Sequence, residues 1–558
     1  MFEKILVLLV ICFSLVCKAQ TVKKENLTEK DKLFWDFKKT KIQSVGSYYK
    51  DRLGETRDKH GKWEYYNEFG DIEEIRNYYR EKLHGQIFLK YANGKPRQEG
   101  YFKLDKQDSI YREWVENGTL IVEGKYKNGK PFGIWRKYYM DGREQSIEEY
   151  IDTICMLKDF WKDDSLHTRT IKNGTGNKTT YYPNGKAKEV YNYKEGLRDG
   201  IFEERSINGY LFLTGFFKQE RKDGEWKYFY YTGDLEKISN YKNGLLDGPY
   251  SYYYDTKVLN VTGNYVAGKK EGKWFWYTNK GGKDMEGTFV NNMQDGNWIY
   301  YYPTGEVSYK AFYKQDKREG KWEYYYENKK LFKAGTYSND LKDGLWETWY
   351  EDGILLMTGK YIKGKEEGIW KNFWQNSTLK NQSTFEDGLL HGQWYSWAMD
   401  GTVTLTGFYK EGYKVGKWTK YYDNGKVEDI NTYKIIEKAA PIDYGFTKGR
   451  KVKESVRHGY HASYSMKDYD LTEEGHYIND EKDGKWVDYL PGGVLPAVIT
   501  NYKDGKLEGL MTQFGRRGEK ISESEYKNGL KDGKFRMFDS TGKIILDKTY
   551  SKGQEVRK

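Results

Sequence analysis

The chain has 558 residues, of which 37% are hydrophobic, 17% aromatic and 32% charged, with a formal net charge of +11. Because aromatic residues form so large a share of the hydrophobic set, Leu, Ile and Val are too scarce for an ordinary compact aliphatic core. Burial has to come from Tyr and Trp rings whose polar tips stay in contact with water. Charges of both signs are mixed along the chain, so the net positive charge is diluted over its whole length.

The first residues have the pattern of an export signal. Lys4 precedes an apolar run, 5–16, and small residues at the cleavage positions precede Gln20. A membrane-spanning helix needs about 20 apolar residues, which is more than this run contains. We expect cleavage after residue 19 and an exported protein in the periplasm, at the outer surface or in the medium. Anchoring through a lipid on Cys17 is disfavoured, because the residue before it is larger than usual, and an uncleaved anchor is the third alternative.

Cysteine usage is minimal in the predicted mature chain. Cys12 and Cys17 fall within the signal, which leaves Cys155 alone, so no intramolecular disulfide can form. Cys155 lies in the aliphatic stretch 154–157. We therefore expect a small buried side chain there rather than a nucleophile.

A glycine recurs every 24 residues through the centre of the chain, and each is followed by an aromatic residue two positions later and another seventeen positions later. The glycines are Gly200, Gly224, Gly248, Gly272, Gly296, Gly320, Gly344, Gly368, Gly392 and Gly416. Most of the early aromatic residues are tryptophans: Trp226, Trp274, Trp298, Trp322, Trp346, Trp370, Trp394 and Trp418. Such a period is typical of an array in which each unit buries its surface against its neighbours.

The phase of these glycines is lost twice, after Gly133 and after Gly416, and each time it resumes 43 residues later. Each break equals one repeat plus one shortened by five residues, so we expect a similar local structure at both, such as a bend. The predicted organisation begins with a signal and a polar leader that caps the first sheet edge. The segments are 1–19 (signal), 20–47 (leader or cap), 48–150 (repeats), 151–175 (degenerate repeat), 176–433 (regular repeats), 434–458 (degenerate repeat) and 459–558 (repeats).

Each unit has the sequence of a β-hairpin. After Gly320, residues 321–326 are rich in strand formers, and 327–329 form a turn that contains Asn-Gly in sister units. A second strand, 331–337, leads through a second turn, 339–344, into the next unit. We predict an all-β fold, an elongated open array of about twenty 24-residue β-hairpin repeats forming a twisted antiparallel sheet. Two strands per unit advance the array by roughly 10 Å per repeat.

The pattern leaves open where the rings point. Trp322 and Tyr325 lie on opposite faces of a regular strand, so either both faces carry rings or a bulge intervenes. We take the eight tryptophans named above as the candidate interaction surface. An exposed ladder of them would favour stacking on sugars, whereas buried tryptophans would favour a protein scaffold.

The unit Gly-x-Trp-x-x-Tyr-Tyr-x-x-Gly resembles the MORN repeat, and most closely the bacterial variant found in proteins described as antitoxin-like. Good instances are 272–274 and 416–425, and the resemblance extends over roughly 48–550. It implies a hairpin array, a role in protein scaffolding and, less directly, contact with membrane lipids. An export signal fits poorly with a cytoplasmic antitoxin.

The histidines invite a metal-site interpretation, with His458 and His461 as the nearest pair. A better interpretation is that of turn residues, because four histidines directly precede an anchor glycine, where other units have Asp or Glu. These four are His60, His84, His391 and His458. We expect neither a metal nor a cofactor.

Catalysis requires one singular group of perturbed side chains, whereas this chain repeats the same residues, so we expect no enzyme. Lysines among aromatic residues would suit single-stranded nucleic acid, but every unit also carries Asp or Glu, and we expect no such ligand. Two functions remain. The first is an exported, non-catalytic scaffold for protein partners in the cell envelope, with an antitoxin- or immunity-like role as a special case. The second is binding of cell-wall glycan; membrane contact is expected only through a lipid anchor or surface association.

Overall fold

The computed structural model describes residues 26–439 and 451–556, so the predicted signal, 1–19, lies outside the described residues. The chain divides into two compact units: the first comprises 1–259 and 265–269, and the second comprises 260–264 and 270–558. The part of the chain that the structure describes contains β-strands and no α-helix. It accordingly offers no helix of the length and apolar character needed to cross a membrane.

In the first unit the strands are antiparallel and pair in chain order. They are β1 Asp31–Phe34, β2 Ile42–Asp51, β3 Gly54–Tyr66, β4 Ile72–Tyr79, β5 Lys82–Lys90, β6 Pro96–Lys103, β7 Lys106–Trp114, β8 Leu120–Lys127, β9 Lys130–Tyr138, β10 Glu144–Ile151, β11 Ile154–Trp161, β12 Arg169–Lys172, β13 Thr175–Tyr181, β14 Ala187–Lys194, β15 Leu197–Arg205, β16 Leu211–Lys218, β17 Arg221–Phe229, β18 Leu235–Lys242 and β19 Leu245–Tyr253. The residues of β20, Leu259–Val266, divide between the two units.

The second unit follows the same rule of antiparallel pairing between neighbours in the chain. Its strands are β21 Lys269–Tyr277, β22 Lys283–Val290, β23 Met293–Gln294, β24 Gly296–Tyr301, β25 Val307–Lys314, β26 Lys317–Arg318, β27 Gly320–Tyr325, β28 Leu331–Ser338, β29 Leu341–Trp349, β30 Leu355–Ile362, β31 Lys365–Phe373, β32 Leu379–Glu386, β33 Leu389–Leu390, β34 Gly392–Trp397, β35 Val403–Lys410, β36 Tyr413–Tyr421, β37 Val427–Ala439, β38 Lys451–Tyr464, β39 Leu471–Ile478, β40 Glu481–Tyr489, β41 Pro496–Lys503, β42 Lys506–Leu507, β43 Gly509–Phe514, β44 Lys520–Lys527, β45 Leu530–Phe538, β46 Ile544–Ser551 and β47 Gln554–Glu555. The prediction of an all-β hairpin array forming an open antiparallel sheet is confirmed.

The two turns of each 24-residue repeat differ in type. In the first turn only Lys329 has a positive φ, of 71°, and Tyr326 N–H donates to the Lys330 carbonyl at 2.8 Å, as in a three-residue hairpin loop. In the second turn Asn339 and Asp340 both have positive φ, of 46° and 69°, which is the two-residue type I′ geometry. The predicted second turn, 339–344, is therefore too long, because β29 already begins at Leu341 and pairs with β28.

The anchor glycine forms a bulge. Ala334 pairs with Glu347 and Thr336 with Asp343, so residues 344–346 lie opposite a single residue of β28. Gly344 has a φ of 84°, a conformation that favours glycine. This bulge precedes the tryptophan of the repeat, so it does not separate Trp322 from Tyr325. Tyr324 packs against the Trp322 ring. Tyr325 instead bonds to Glu323 on the other face, so the strand carries rings on both faces.

The two breaks in the period have different structures, so the expectation of a similar fold at both is wrong. In the first break β12 has only four residues and pairs with β13 at two positions. In the second break β37 and β38 form an extended hairpin whose pairing continues to Ala439 and Lys451. Equal lengths conceal the difference, because one segment adds a short strand whereas the other lengthens two strands.

Candidate interaction surface

One face of the sheet, here called the tryptophan face, carries the early and late aromatic residues of the repeats. In several repeats it also carries a lysine two residues before the anchor glycine. Trp346 shows the packing. Its ring lies on the backbone of Gly335, its Nε1 donates to the Thr336 carbonyl at 3.0 Å, and Tyr337 meets it edge-on at 5.1 Å. Lys342 closes the arrangement with its ammonium 4.9 Å from the Trp346 ring.

Seven of the eight predicted interaction tryptophans are buried, at 0–5% exposure, and Trp394 is half-buried. The seven are Trp226, Trp274, Trp298, Trp322, Trp346, Trp370 and Trp418. A lysine ammonium lies over the ring in several units, as with Lys222 on Trp226 and Lys482 on Trp486. These contacts combine cation–π attraction with cover by the lysine stem. The rings are therefore covered by neighbouring side chains of the tryptophan face and do not form a solvent-exposed ladder.

The other side of the sheet, here called the opposite face, carries the residue that directly follows each anchor glycine. In several units this residue is an exposed aliphatic side chain, for example Ile201 at 58%, Leu345 at 56% and Ile369 at 55% exposure. Nearby rings and charges pair locally, as where Tyr325 donates to Glu323 at 2.9 Å. Sequence reasoning missed this set because it followed the tryptophans. The signal was an Ile or Leu recurring directly after the anchor glycine.

Side-chain hydrogen bonds join successive 24-residue repeats at the first turn of each repeat. The hydroxyl of Tyr326 donates to the Trp349 carbonyl at 2.8 Å, and Asn328 Nδ2 donates to the Glu351 carbonyl at 3.1 Å. Equivalent tyrosines bond to the next unit in the same way: Tyr91, Tyr139, Tyr182, Tyr230, Tyr302 and Tyr350. Each unit is thus held in register with the next one.

A second connection runs through the residue before each anchor glycine. Asp343 accepts a hydrogen bond from the Lys363 N–H at 3.1 Å, and the same contact recurs 20 residues apart in other units. His60 takes this role in its own unit, where its Nδ1 accepts from the Arg80 N–H at 3.1 Å. Burial and the nearby Arg80 charge lower the pKa of His60, which favours the neutral ring that can accept.

The first regular unit after each break carries an ionisable residue in the tryptophan position, namely Lys178 and His461. Nδ1 of His461 lies 3.0 Å from Asn431 Oδ1, and its ring packs against Trp486 at 5.5 Å. The contact with His461, together with the Lys482 ammonium, lowers the pKa of Glu473 to about 2. Among the described residues no group of three or more His, Cys, Asp or Glu side chains is placed to hold a metal ion.

Cys155 differs from the expectation. Its side chain is exposed rather than buried, because it lies at the start of β11 just after a turn. Its Sγ is 3.7 Å from Glu148 Oε2. Desolvation is the main cause that raises the pKa of the thiol, so the thiolate is disfavoured.

Seven segments of the chain match the family model of the MORN repeat variant: 59–78, 83–104, 222–243, 294–315, 318–339, 342–363 and 414–434. These seven segments, and not the whole chain, are similar to the MORN repeat variant. Most of these matches begin at the lysine or arginine two residues before the anchor glycine or close to it, and they end in the type I′ turn. No curated protein is recognisably similar to the chain in sequence.

Solved structures that match the chain include toxin complexes. The TcdB2–TccC3–Cdc42 structure is 9% identical with a TM-score of 0.12, and the match covers 94% of this chain and 31% of that one. The Photorhabdus luminescens Tc holotoxin pore with a TccC3 mutation is 10% identical with a TM-score of 0.12, covering 94% and 29%. The chain thus spans about a third of the length of these chains, and a likeness at this level says nothing about its function.

Proposed function

We propose that this protein is an exported, non-catalytic scaffold that binds protein partners in the cell envelope through the opposite face of its MORN-type array. The observation that carries the proposal is the burial of seven of the eight tryptophans, four of them beneath a lysine of the same face. Stacking on a sugar requires an accessible ring face, which Trp226 at 0% exposure does not offer. Cell-wall glycan binding through these rings is therefore the less favoured function.

Protein binding fits the surface that remains. Aliphatic side chains such as Ile201, Leu345 and Ile369 stand exposed on the opposite face among polar groups that bond to one another. Exposed apolar groups within a polar surround are typical of protein-binding surfaces. Within the second compact unit, hydrogen bonds between successive repeats hold neighbouring positions such as Leu345 and Ile369 in register. An antitoxin- or immunity-like role would be one instance, with a toxin as the bound partner.

Affinity capture tests the proposal. The chain 20–558 is immobilised and exposed to extract of its own cell envelope, while sedimentation with insoluble cell-wall polymer is measured in parallel. We expect specific envelope proteins to be retained. We also expect the protein to stay in the supernatant when the insoluble wall polymer is sedimented. Co-sedimentation that is lost in a folded variant with Trp274→Ala and Trp346→Ala would instead establish glycan binding.

Export is part of the same proposal and has a separate test. The basic residue, apolar run and small residues in 1–19 support cleavage before Gln20. Mass spectrometry of the protein recovered from the periplasm or medium should find an N-terminus at Gln20. A full-length chain confined to the cytoplasm would contradict export, and a diacylglycerol-modified Cys17 would replace secretion by lipid anchoring.

A further inference from the structure

In the first compact unit of the chain, the pairing between β12 and β13 stops after a short stretch. These strands pair at two positions only, where Ile171 faces Gly176 and Lys172 faces Thr175. Beyond them, 177–181 of β13 pair with β14 alone. In a regular unit the equivalent residues pair on both sides, as Glu347 and Thr348 do with β28 and β30.

The pairing ends because the segment 162–174 between β11 and β13 is narrow at one end and wide at the other. At the narrow end, backbone hydrogen bonds join the turns at Gly174 and Gly196 to the strand at Leu157. Leu157 N–H donates to the Gly196 carbonyl at 2.8 Å, and Gly196 N–H donates to the Gly174 carbonyl at 2.9 Å. A Cβ on Gly174 would lie 2.4 Å from the Gly196 nitrogen, so only glycine permits this approach. At the other end the loop 162–168 closes on itself, with Lys162 N–H donating to the Thr168 carbonyl at 2.9 Å, and does not extend β12. The backbone of β13 is left without a second neighbour there.

A cleft of about 700 Å³ lies at this opening. Phe160, Lys162, Lys178 and Thr180 line it, together with Tyr139 and Gln145. Five strand residues span roughly 17 Å at about 3.4 Å each, which is the length of the one-sided stretch of β13. The cleft therefore offers both unpaired strand backbone and adjoining side chains that a bound segment would contact.

Two lysines and two aspartates line the cleft, Lys162 and Lys178 with Asp163 and Asp164, but the two lysines lack direct partners in the part of the chain that the structure describes. Within the described residues the Lys178 and Lys162 ammoniums form no hydrogen bond or ion pair, and Lys178 has only the Phe160 ring, at 5.0 Å. The carboxylates nearby are already engaged, since Asp163 pairs with Arg143 at 2.7 Å and Asp164 accepts from the Thr168 N–H at 3.0 Å. Burial lowers the pKa of Lys178, although the charges of Glu148 and Glu189 act in the opposite direction. Glu148 is itself paired with Lys137 at 2.8 Å. An unpaired, partly desolvated ammonium favours an anionic ligand.

We propose that the cleft between β12 and β13 binds an extended acidic peptide segment of a partner protein, which adds a strand to β13 and places carboxylates on Lys178 and Lys162. Backbone hydrogen bonds would supply affinity and the two ammoniums specificity, as in other cases of strand addition. The inference rests on the proposed scaffold function, because it assumes a protein partner. It concerns a site separate from the opposite-face aliphatic side chains.

The test is calorimetric titration of the chain 20–558 with a capped heptapeptide that alternates Val and Glu. We expect saturable binding that weakens at least tenfold in the Lys162→Gln/Lys178→Gln variant and at least tenfold when Gln replaces Glu in the peptide. The matched control, Lys273→Gln/Lys417→Gln, removes two exposed lysines elsewhere and should bind as the parent does. N-methylation of alternate peptide amides tests strand addition without altering the protein, and should abolish binding.

Equal binding of the Glu and Gln peptides, or undiminished binding by Lys162→Gln/Lys178→Gln, would overturn the proposal. A tetramer of uronic acid is titrated in parallel; if it binds in a Lys178-dependent manner and the peptide does not, the cleft recognises acidic glycan instead. Failure here is distinguishable from failure of the scaffold function. Envelope proteins retained equally by parent and Lys162→Gln/Lys178→Gln would leave the scaffold intact and remove only this site.

Discussion

The ring of Trp346 lies so close to Gly335 that a Cβ at this glycine would be 2.1 Å from Cδ2 of the ring. The same relationship recurs between Gly215 and Trp226, and between Gly407 and Trp418. A flat ring on bare backbone, with Lys342 above it, explains how a tryptophan becomes buried in a thin sheet. The small residue and the tryptophan of the next strand are therefore one packing unit.

Replacing Gly335 by Ala should destabilise the sheet locally. The new methyl group forces the Trp346 ring away, and overpacking of this kind costs about 1–3 kcal/mol. Because a repeat array need not unfold in one step, the measurement is amide hydrogen exchange across β28 and β29. Ala311 holds the position equivalent to Gly335 and serves as the control. Ala311→Gly should cost less than about 1 kcal/mol, and unchanged exchange in Gly335→Ala would contradict the packing described.

The tyrosine bond between units predicts a smaller effect. Tyr326→Phe removes the hydrogen bond to the Trp349 carbonyl, which is 2.8 Å long, and should reduce local stability by about 0.5–1.5 kcal/mol. Amide exchange of Tyr350, whose N–H donates to the Ile354 carbonyl in the next turn, reports the change. Tyr231→Phe is the matched control, because that ring is 80% exposed at a turn tip. Equal effects of the two substitutions would show that the hydroxyl bond contributes nothing specific.

Acid should loosen the turn that follows His60. The pKa of His60 is lowered in the folded chain, so the neutral ring is favoured and protonation opposes folding. The stability it contributes is fully present above the unfolded pKa of about 6.5, and it is lost as pH falls through the lower folded pKa. The protection factor of the Arg80 amide should therefore decrease below pH of about 6.5.

Two controls accompany this pH measurement. The Lys363 amide, which donates to the Asp343 carboxylate, should keep its protection factor over the same interval. His60→Asp installs the acceptor of the other units, so the Arg80 amide should become insensitive to pH until the carboxylate titrates, near a pH of about 4. A pH response of Arg80 that persists in His60→Asp would assign it to another group.

Sequence periodicity predicted the hairpin unit because strand formers, turn residues and the anchor glycine repeat in register. It did not predict that Leu341 already belongs to a strand, since a type I′ turn needs only two residues and Asn339 and Asp340 supply them. It also left the direction of Trp322 open, because alternation along a strand does not say which of its two faces is covered, and rings lie on both. The opening beside β13 has no repeating signal at all, and only coordinates reveal it.

The central claim is that partners bind the opposite face while the tryptophans serve the fold. The most direct measurement compares envelope proteins captured by the chain 20–558 with those captured by the variant Ile201→Ser/Leu345→Ser/Ile369→Ser. The control, Met140→Ser/Tyr231→Ser/Met399→Ser, removes side chains from turn tips that are 54–80% exposed, against 55–58% for the opposite-face set. The account predicts at least a tenfold loss of captured partners in the opposite-face variant and none in the control. Undiminished capture by the opposite-face variant, with loss in the control, would contradict it.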